Sequence, residues 1–131
     1  MGEKLDYVID TSAWVEYLLG TSRGGKVKHL LETPGNRFFT MDCCVAEVYA
    51  WAKRQGADFG ELLRAIKSDS SIIQADLNDW IEAADLRDEL RKGGGKTSLM
   101  DAVQVIMARR LGARNLSADY DFKQVKKAKL I

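Results

Sequence analysis

Apolar and polar positions along this chain switch repeatedly between short continuous runs and helical spacing. Short apolar runs bounded by turn residues read as strands, and apolar positions three and four apart read as helices. Leu5 to Ile9 is such a run. It ends at Asp10, and Thr11 and Ser12, both able to cap a helix, precede the amphipathic stretch from Ala13 to Leu19. A second helical segment around Lys26 to Leu31 stops at Thr33, Pro34 and Gly35. Arg37 to Met41 is the next strand. Asp42 can cap a helix in which Val45, Val48, Tyr49 and Ala52 share a face, with Gly56 as its stop, and Phe59 to Ile66 forms a shorter helix.

The same alternation continues to the end of the chain. Ser71 to Ala75 reads as a strand, and Asp76 or Asn78 opens a long helix through Leu90, with Trp80, Ile81, Ala84 and Leu90 apolar, ended by Gly93, Gly94 and Gly95. Ser98 opens a helix whose apolar face is Leu99, Val103, Ile106, Met107 and Leu111, closed by Gly112. Ala113 to Leu116 is a fourth strand, Ser117 to Phe122 a short helical or turn segment, and Lys129 to Ile131 a last strand. Strands separated by helices imply an α/β fold with a parallel sheet and right-handed crossovers.

Length and charge narrow the picture only a little. The 131 residues fit one domain spanning 1–131. No apolar stretch approaches the ~20 residues needed to cross a bilayer, which excludes a membrane role. The opening MGEKLDYVID has neither the basic nor the apolar region of a secretory leader, so the expected location is cytoplasmic. A formal net charge of +1 is neutral on nucleic acid, since a local basic rim can bind phosphate. Cys43 and Cys44 are adjacent, a poor arrangement for a disulfide, and read as free thiols. With no second cysteine pair and a single histidine, His29, on a helical stretch, the sequence does not point to a Cys/His metal site.

The candidate chemistry lies in four acids, Asp10, Glu47, Asp101 and Asp119, each at a strand end or in the opening turns of a helix. In open α/β sheets the ligand site lies beyond the carboxyl ends of the strands, so acids there can converge on one crevice. Each also has an ordinary explanation. Asp10 can cap the first helix, Glu47 can be a solvated helix residue, Asp119 can form an Asx-turn, and Ser98 to Asp101 is a capping-box pattern. Taken together they depart from exposed charged faces, because Glu47 and Asp101 have apolar neighbours. Glu82, Asp85, Asp88 and Glu89, interleaved with Arg87 and Arg91, read instead as a solvated face with helical charge pairing. Convergent carboxylates without Cys or His suit a hard cation such as Mg²⁺ or Mn²⁺.

VID-T-S at Asp10, VAEVY around Glu47, S-L-M-D-A around Asp101 and L-S-A-D-Y-D-F around Asp119 resemble, in order and over essentially the whole chain, the four acidic motifs of the PIN-domain ribonucleases, most closely the compact VapC-type toxins. The resemblance implies a three-layer α/β/α sandwich around a parallel sheet and a Mg²⁺- or Mn²⁺-dependent endoribonuclease. Its catalytic set is Asp10, Glu47, Asp101 and Asp119, with Asp10, Asp101 and Asp119 as metal ligands. Thr11 or Ser12 supplies a supporting hydroxyl, Ser117 stands where many members carry Thr, and Asp121 can share the role of Asp119. The resemblance further implies a homodimer and a cognate antitoxin, with Trp14, Tyr17 and Leu18 as candidate contacts. A PIN-type RNA-processing nuclease without an antitoxin and a binding-only PIN-like module remain open.

Phosphate contacts are sought in basic residues around the expected crevice, namely Arg23, Lys26, Lys92 and Lys96, with Arg114 or Lys123 beside them. The KKAK tail is a further candidate phosphate patch. Trp14, Trp51 and Tyr49 can stack on bases or a partner, or belong to the core. GGGKTS is not a nucleotide-binding loop: Leu90 stands where a Walker A loop needs its first glycine, and the segment follows a helix instead of a strand. It reads as a flexible connection that brings Lys96 near substrate. A receiver-type phosphoacceptor domain is set aside for want of paired acids after the first strand.

Overall fold

The computed structural model describes residues 4–131. Met1 to Glu3, part of the stretch searched for a leader, lie outside the described residues. The elements are β1 (Asp6–Ile9), α1 (Thr11–Leu19), α2 (Ser22–Glu32), β2 (Arg37–Met41), α3 (Asp42–Gln55), α4 (Phe59–Asp69), β3 (Ser71–Ile73), α5 (Leu77–Lys92), α6 (Leu99–Leu111), β4 (Arg114–Ser117), a 3₁₀ turn (Tyr120–Gln124) and β5 (Lys129–Leu130). All strand pairings are parallel, in the order β3-β2-β1-β4-β5. Helices cover both faces, giving the expected three-layer sandwich. No described helix is long and apolar enough to cross a membrane.

Period-two alternation in the strands divides the core. Tyr7, Ile9, Phe38 and Leu116 pack with Trp14, Val27, Val48 and Ile66, whereas Val8 and Met41 pack with Ala83, Leu86, Val103 and Met107 on the other face. Such central strands are apolar on both sides, as a sheet buried between helix layers requires. Strand order reverses between β1 and β4: the chain steps outward through β2 and β3, then returns to the far side of β1. Ligands bind at that reversal, beyond the strand ends. Asp10 follows β1 there, and Ala118 and Asp119 follow β4.

Several boundaries differ from the sequence reading for local reasons. β3 stops at Ile73, not Ala75, because its only neighbour, β2, ends at Met41, the partner of Ile73. Ala113 lies just outside β4, which instead takes in Ser117. Thr11 and Ser12 are not caps: Asp10 occupies the N-cap position in extended backbone, and the helix begins directly at Thr11. On α5 the acidic face is exposed as expected, but without helical pairing: Arg87 reaches its neighbour Asp88 at 3.7 Å, and Arg91 donates to the Thr97 carbonyl at 2.8 Å. Trp14, read as a partner contact, is fully buried and donates to Thr40 Oγ1 at 3.1 Å, so it belongs to the core. Cys43 and Cys44 are free, with Cys44 buried, and His29 is exposed.

Candidate functional site

Asp10 leaves β1 at the N-cap position of α1, yet its side chain makes no capping bond. It is 5 % exposed. Ser12 Oγ and Ser117 Oγ donate to its Oδ2 at 2.7 and 2.8 Å, and Gln104 Nε2 donates to Oδ1 at 3.0 Å. The ordinary explanation of Asp10 as a helix cap therefore fails. Three donors fix one rotamer. Ser12 and Ser117 also touch each other at 3.1 Å and accept the backbone N–H groups of Ala118 and Asp119, which ties the start of α1 to the end of β4.

Asp101 enters from the first turn of α6. Its capping box is complete: Ser98 Oγ accepts from Asp101 N at 3.0 Å, and Asp101 Oδ2 accepts from Ser98 N at 3.1 Å. The carboxyl pKa is nonetheless raised from its ordinary 3.8 to about 6, chiefly by burial, with the charges of Asp10 and Asp119 adding to it and the Ser98 hydrogen bonds partly offsetting it. A cap alone would lower that pKa.

Asp119 caps the 3₁₀ turn by accepting from Asp121 N at 2.9 Å, as an Asx-turn would. That turn carries Asp121 back toward α6. Carboxylate oxygens of Asp101, Asp119 and Asp121 lie within 4.8 Å of one another. The three-acid convergence thus holds Asp121 where the sequence reading put Asp10. Asp10 stands close enough to raise the pKa of Asp101 but outside that trio. Glu47 is exposed on α3, outside the trio as well, and accepts from Thr11 Oγ1 at 2.9 Å.

The residue that sequence reasoning missed is Gln104. It is 1 % exposed, holds Asp10 through its amide, and accepts from Asn115 Nδ2 at 3.1 Å through its backbone carbonyl. Its own Oε1 has no partner among the described residues. The available signal was a polar amide inside Ala102–Ala108, a run buried throughout. Tyr120 was also missed. It is 72 % exposed between Asp119 and Asp121, and Lys123 Nζ lies 4.8 Å from its ring centroid.

The proposed phosphate contacts divide. The connection carrying Lys96 packs its glycines against Gln124 of the 3₁₀ turn that also carries Asp121, where a Cβ on Gly95 would come within 3.1 Å of Nε2, and Lys96 and Lys92, the last residue of α5, are both exposed. Arg23 is held by backbone carbonyls, donating to those of Ile131 at 3.0 Å and of Ala118, the neighbour of Asp119, at 2.5 Å. Lys26 lines a separate concavity with His29 and Lys129. Arg114 opens β4, at the opposite end of the sheet from the acids, and so does not border the crevice.

With this geometry in hand, the sequence profile of the PIN domain matches residues 7–128. No curated protein matches the chain. Among solved structures, VapC20 of Mycobacterium tuberculosis, a sarcin-ricin loop cleaving toxin, superposes with a TM-score of 0.76 at 17 % identity over 95 % of this chain and 98 % of that one. A toxin–antitoxin complex from Klebsiella pneumoniae gives 0.69 at 20 % identity over 94 % and 95 %. VapBC2 of Rickettsia felis, bound to a DNA fragment from its promoter, gives 0.69 at 19 % over 97 % and 98 %.

Proposed function

The chain belongs to the PIN domain family, and from that premise we propose that it is a metal-dependent endoribonuclease, the toxin of a type II toxin–antitoxin pair. The observation that carries this reading is the convergence of Asp101, Asp119 and Asp121 within 4.8 Å. Three carboxylates so close repel one another unless a cation or a proton intervenes. An all-oxygen donor set fits Mg²⁺ or Mn²⁺.

Asp101, Asp119 and Asp121 would hold the ion. When bound, a divalent cation stabilises charge on the attacking and leaving oxygens of phosphodiester hydrolysis and lowers the pKa of a bound water. Asp10, locked by Ser12, Ser117 and Gln104, would present a fixed carboxyl group beside the ion. Glu47 gives one oxygen to Thr11 and keeps the other to orient a water. Lys92 and Lys96 receive the phosphate backbone, and the exposed ring of Tyr120 offers a face to an unpaired base. Similarity to structures containing toxin–antitoxin pairs supports an antitoxin partner, and a homodimer belongs to the same proposal. Leu19 and Tyr49, 58 % and 47 % exposed on α1 and α3, replace the buried Trp14 as candidate contacts.

Cleavage of a labelled single-stranded RNA in magnesium tests the proposal. Activity is expected to vanish in chelator and to return with manganese, and Glu47→Gln is expected to lower it without changing the melting temperature. Undiminished cleavage after complete metal removal overturns the metal-dependent mechanism. A gene for a short DNA-binding protein beside this one would distinguish a toxin from an RNA-processing nuclease.

A further inference from the structure

A cation stands at or just before the start of four strands: Lys4 before β1, Arg37 opening β2, Arg114 opening β4 and Lys127 before β5. Parallel pairing gathers these starts at one end of the sheet, and the register sets Arg37 beside Asp6 and Arg114 beside Tyr7, on opposite flanks of β1. Together they line a concavity of about 650 Å³. It lies roughly 13 Å from the acidic end, the length of a four-residue strand.

Most of the charge there has no internal partner among the described residues. Asp6, the one acid in the lining, is held by Arg37 through two hydrogen bonds at 3.0 and 2.7 Å. Lys4, Arg114 and Lys127 have no acidic partner within 4.0 Å among the described residues. Cations often sit at helix C-termini to answer the carbonyl dipole, as Arg109 and Arg110 do in α6, but none of these four lies in a helix. The Lys4 stem is also placed: it lies over Gly35, where a Cβ would come within 2.8 Å of its Cγ. An adjoining groove shares Lys127 and adds Arg109 and Lys126.

We propose that this basic end of the sheet docks the phosphate backbone of the RNA substrate at a distance from the cleavage site. The preferred substrate is then a folded RNA long enough to reach both ends of the sheet. This rests on the ribonuclease reading above. A protein partner fits less well, because protein interfaces depend on buried aromatic or aliphatic anchors, and Leu5 is the only large apolar side chain in the lining. Backbone phosphates need cations and no such anchor.

The test measures fluorescence anisotropy in magnesium with the Asp101→Asn chain, alone and with Arg114→Glu and Lys127→Glu added. The probes are a short single-stranded RNA, a longer RNA hairpin and polyglutamate. Charge reversal is expected to weaken hairpin binding roughly tenfold or more. It should also flatten the salt dependence by about 1.5 to 2, as expected for two lost phosphate contacts. Binding of the short strand should stay within about twofold. Unchanged hairpin affinity overturns the proposal, as does a loss confined to polyglutamate. Thermal melts monitor folding, and the neutral pair Arg114→Gln and Lys127→Gln replaces the reversal if it unfolds. Cleavage of the short strand by the reversed chain with Asp101 intact is scored separately, so that failure of the nuclease reading is distinguishable from failure of the docking site.

Discussion

Replacing Asp101 by Asn should stabilise the chain in metal-free buffer at pH 7.5, although it alters a complete capping box. Burial and the charges of Asp10 and Asp119 raise the carboxyl pKa from 3.8 to about 6. Between those two pH values the folded chain binds more protons than the unfolded one, so stability falls as pH rises, and the loss is complete above the folded pKa. At 1.36 kcal/mol per pH unit this amounts to about 3 kcal/mol. Solvent screening of a carboxylate that is still partly exposed reduces it to ~1–2 kcal/mol. Asn keeps an oxygen for Ser98 N but gives up the favourable interaction of a charge with the helix N-terminus, ~0.3–1 kcal/mol. A net gain of roughly 1 kcal/mol remains, about 4 °C for a domain of this size.

Thermal melts of both chains at pH 5 and 7.5, in chelator and in magnesium, decide the matter. The advantage of Asn should shrink at pH 5, where Asp101 carries its proton much of the time. Magnesium should reverse the order at pH 7.5, because a ligand that binds the native state stabilises it by mass action, and the variant has lost a ligand oxygen's charge. An Asn chain less stable than the original by the same amount at both pH values, with equal magnesium shifts, would mean that Asp101 is only a cap.

Two further substitutions probe the residues that sequence reasoning overlooked. Gln104→Leu removes the only donor to Asp10 Oδ1 among the described residues, and the lost hydrogen bond should cost ~1–3 kcal/mol and weaken magnesium binding in a calorimetric titration; an unchanged melt and titration would show that Asp10 needs no amide. Tyr120→Ala should leave the melting temperature alone, since the ring is 72 % exposed, and raise KM for single-stranded RNA about tenfold at constant kcat, the scale of one lost stacking contact; an unchanged KM removes Tyr120 from the substrate path.

Much of the fold was legible because its signals are local. Arg37–Met41 was read to the residue, and Gly56 and Gly112 were placed as helix stops, where both adopt the left-handed conformation (φ 69 and 65) that glycine accepts without strain. Strand ends were less legible because a strand ends where its neighbour does, as β3 does at the end of β2. Nothing in residues 71–75 announces that. Likewise, Arg114 reads as a rim charge until the sheet order fixes which end of β4 faces the acids.

The candidate site was legible in part for a different reason, and Asp101 shows it. Cap and site were weighed as competing explanations, but the fold makes one follow from the other. α6 ends at Leu111 and β4 begins at Arg114, so the helix must run back against the strand direction, which puts its first turn at the end where the strands finish. Acids that favour helix N-termini for their own local reasons are thereby delivered to the crevice. Asp119 repeats the logic, capping the 3₁₀ turn while it faces Asp101 and Asp121. A capping bond is thus no argument against a role in the crevice for Asp101 or Asp119. What separates a site acid from a mere cap is the cost of ionising it among others of like charge. That cost comes chiefly from burial, with the charge of Asp10, 91 residues earlier in the chain, and that of Asp119, 18 residues later, adding to it, which is why it emerged only from the three-dimensional arrangement.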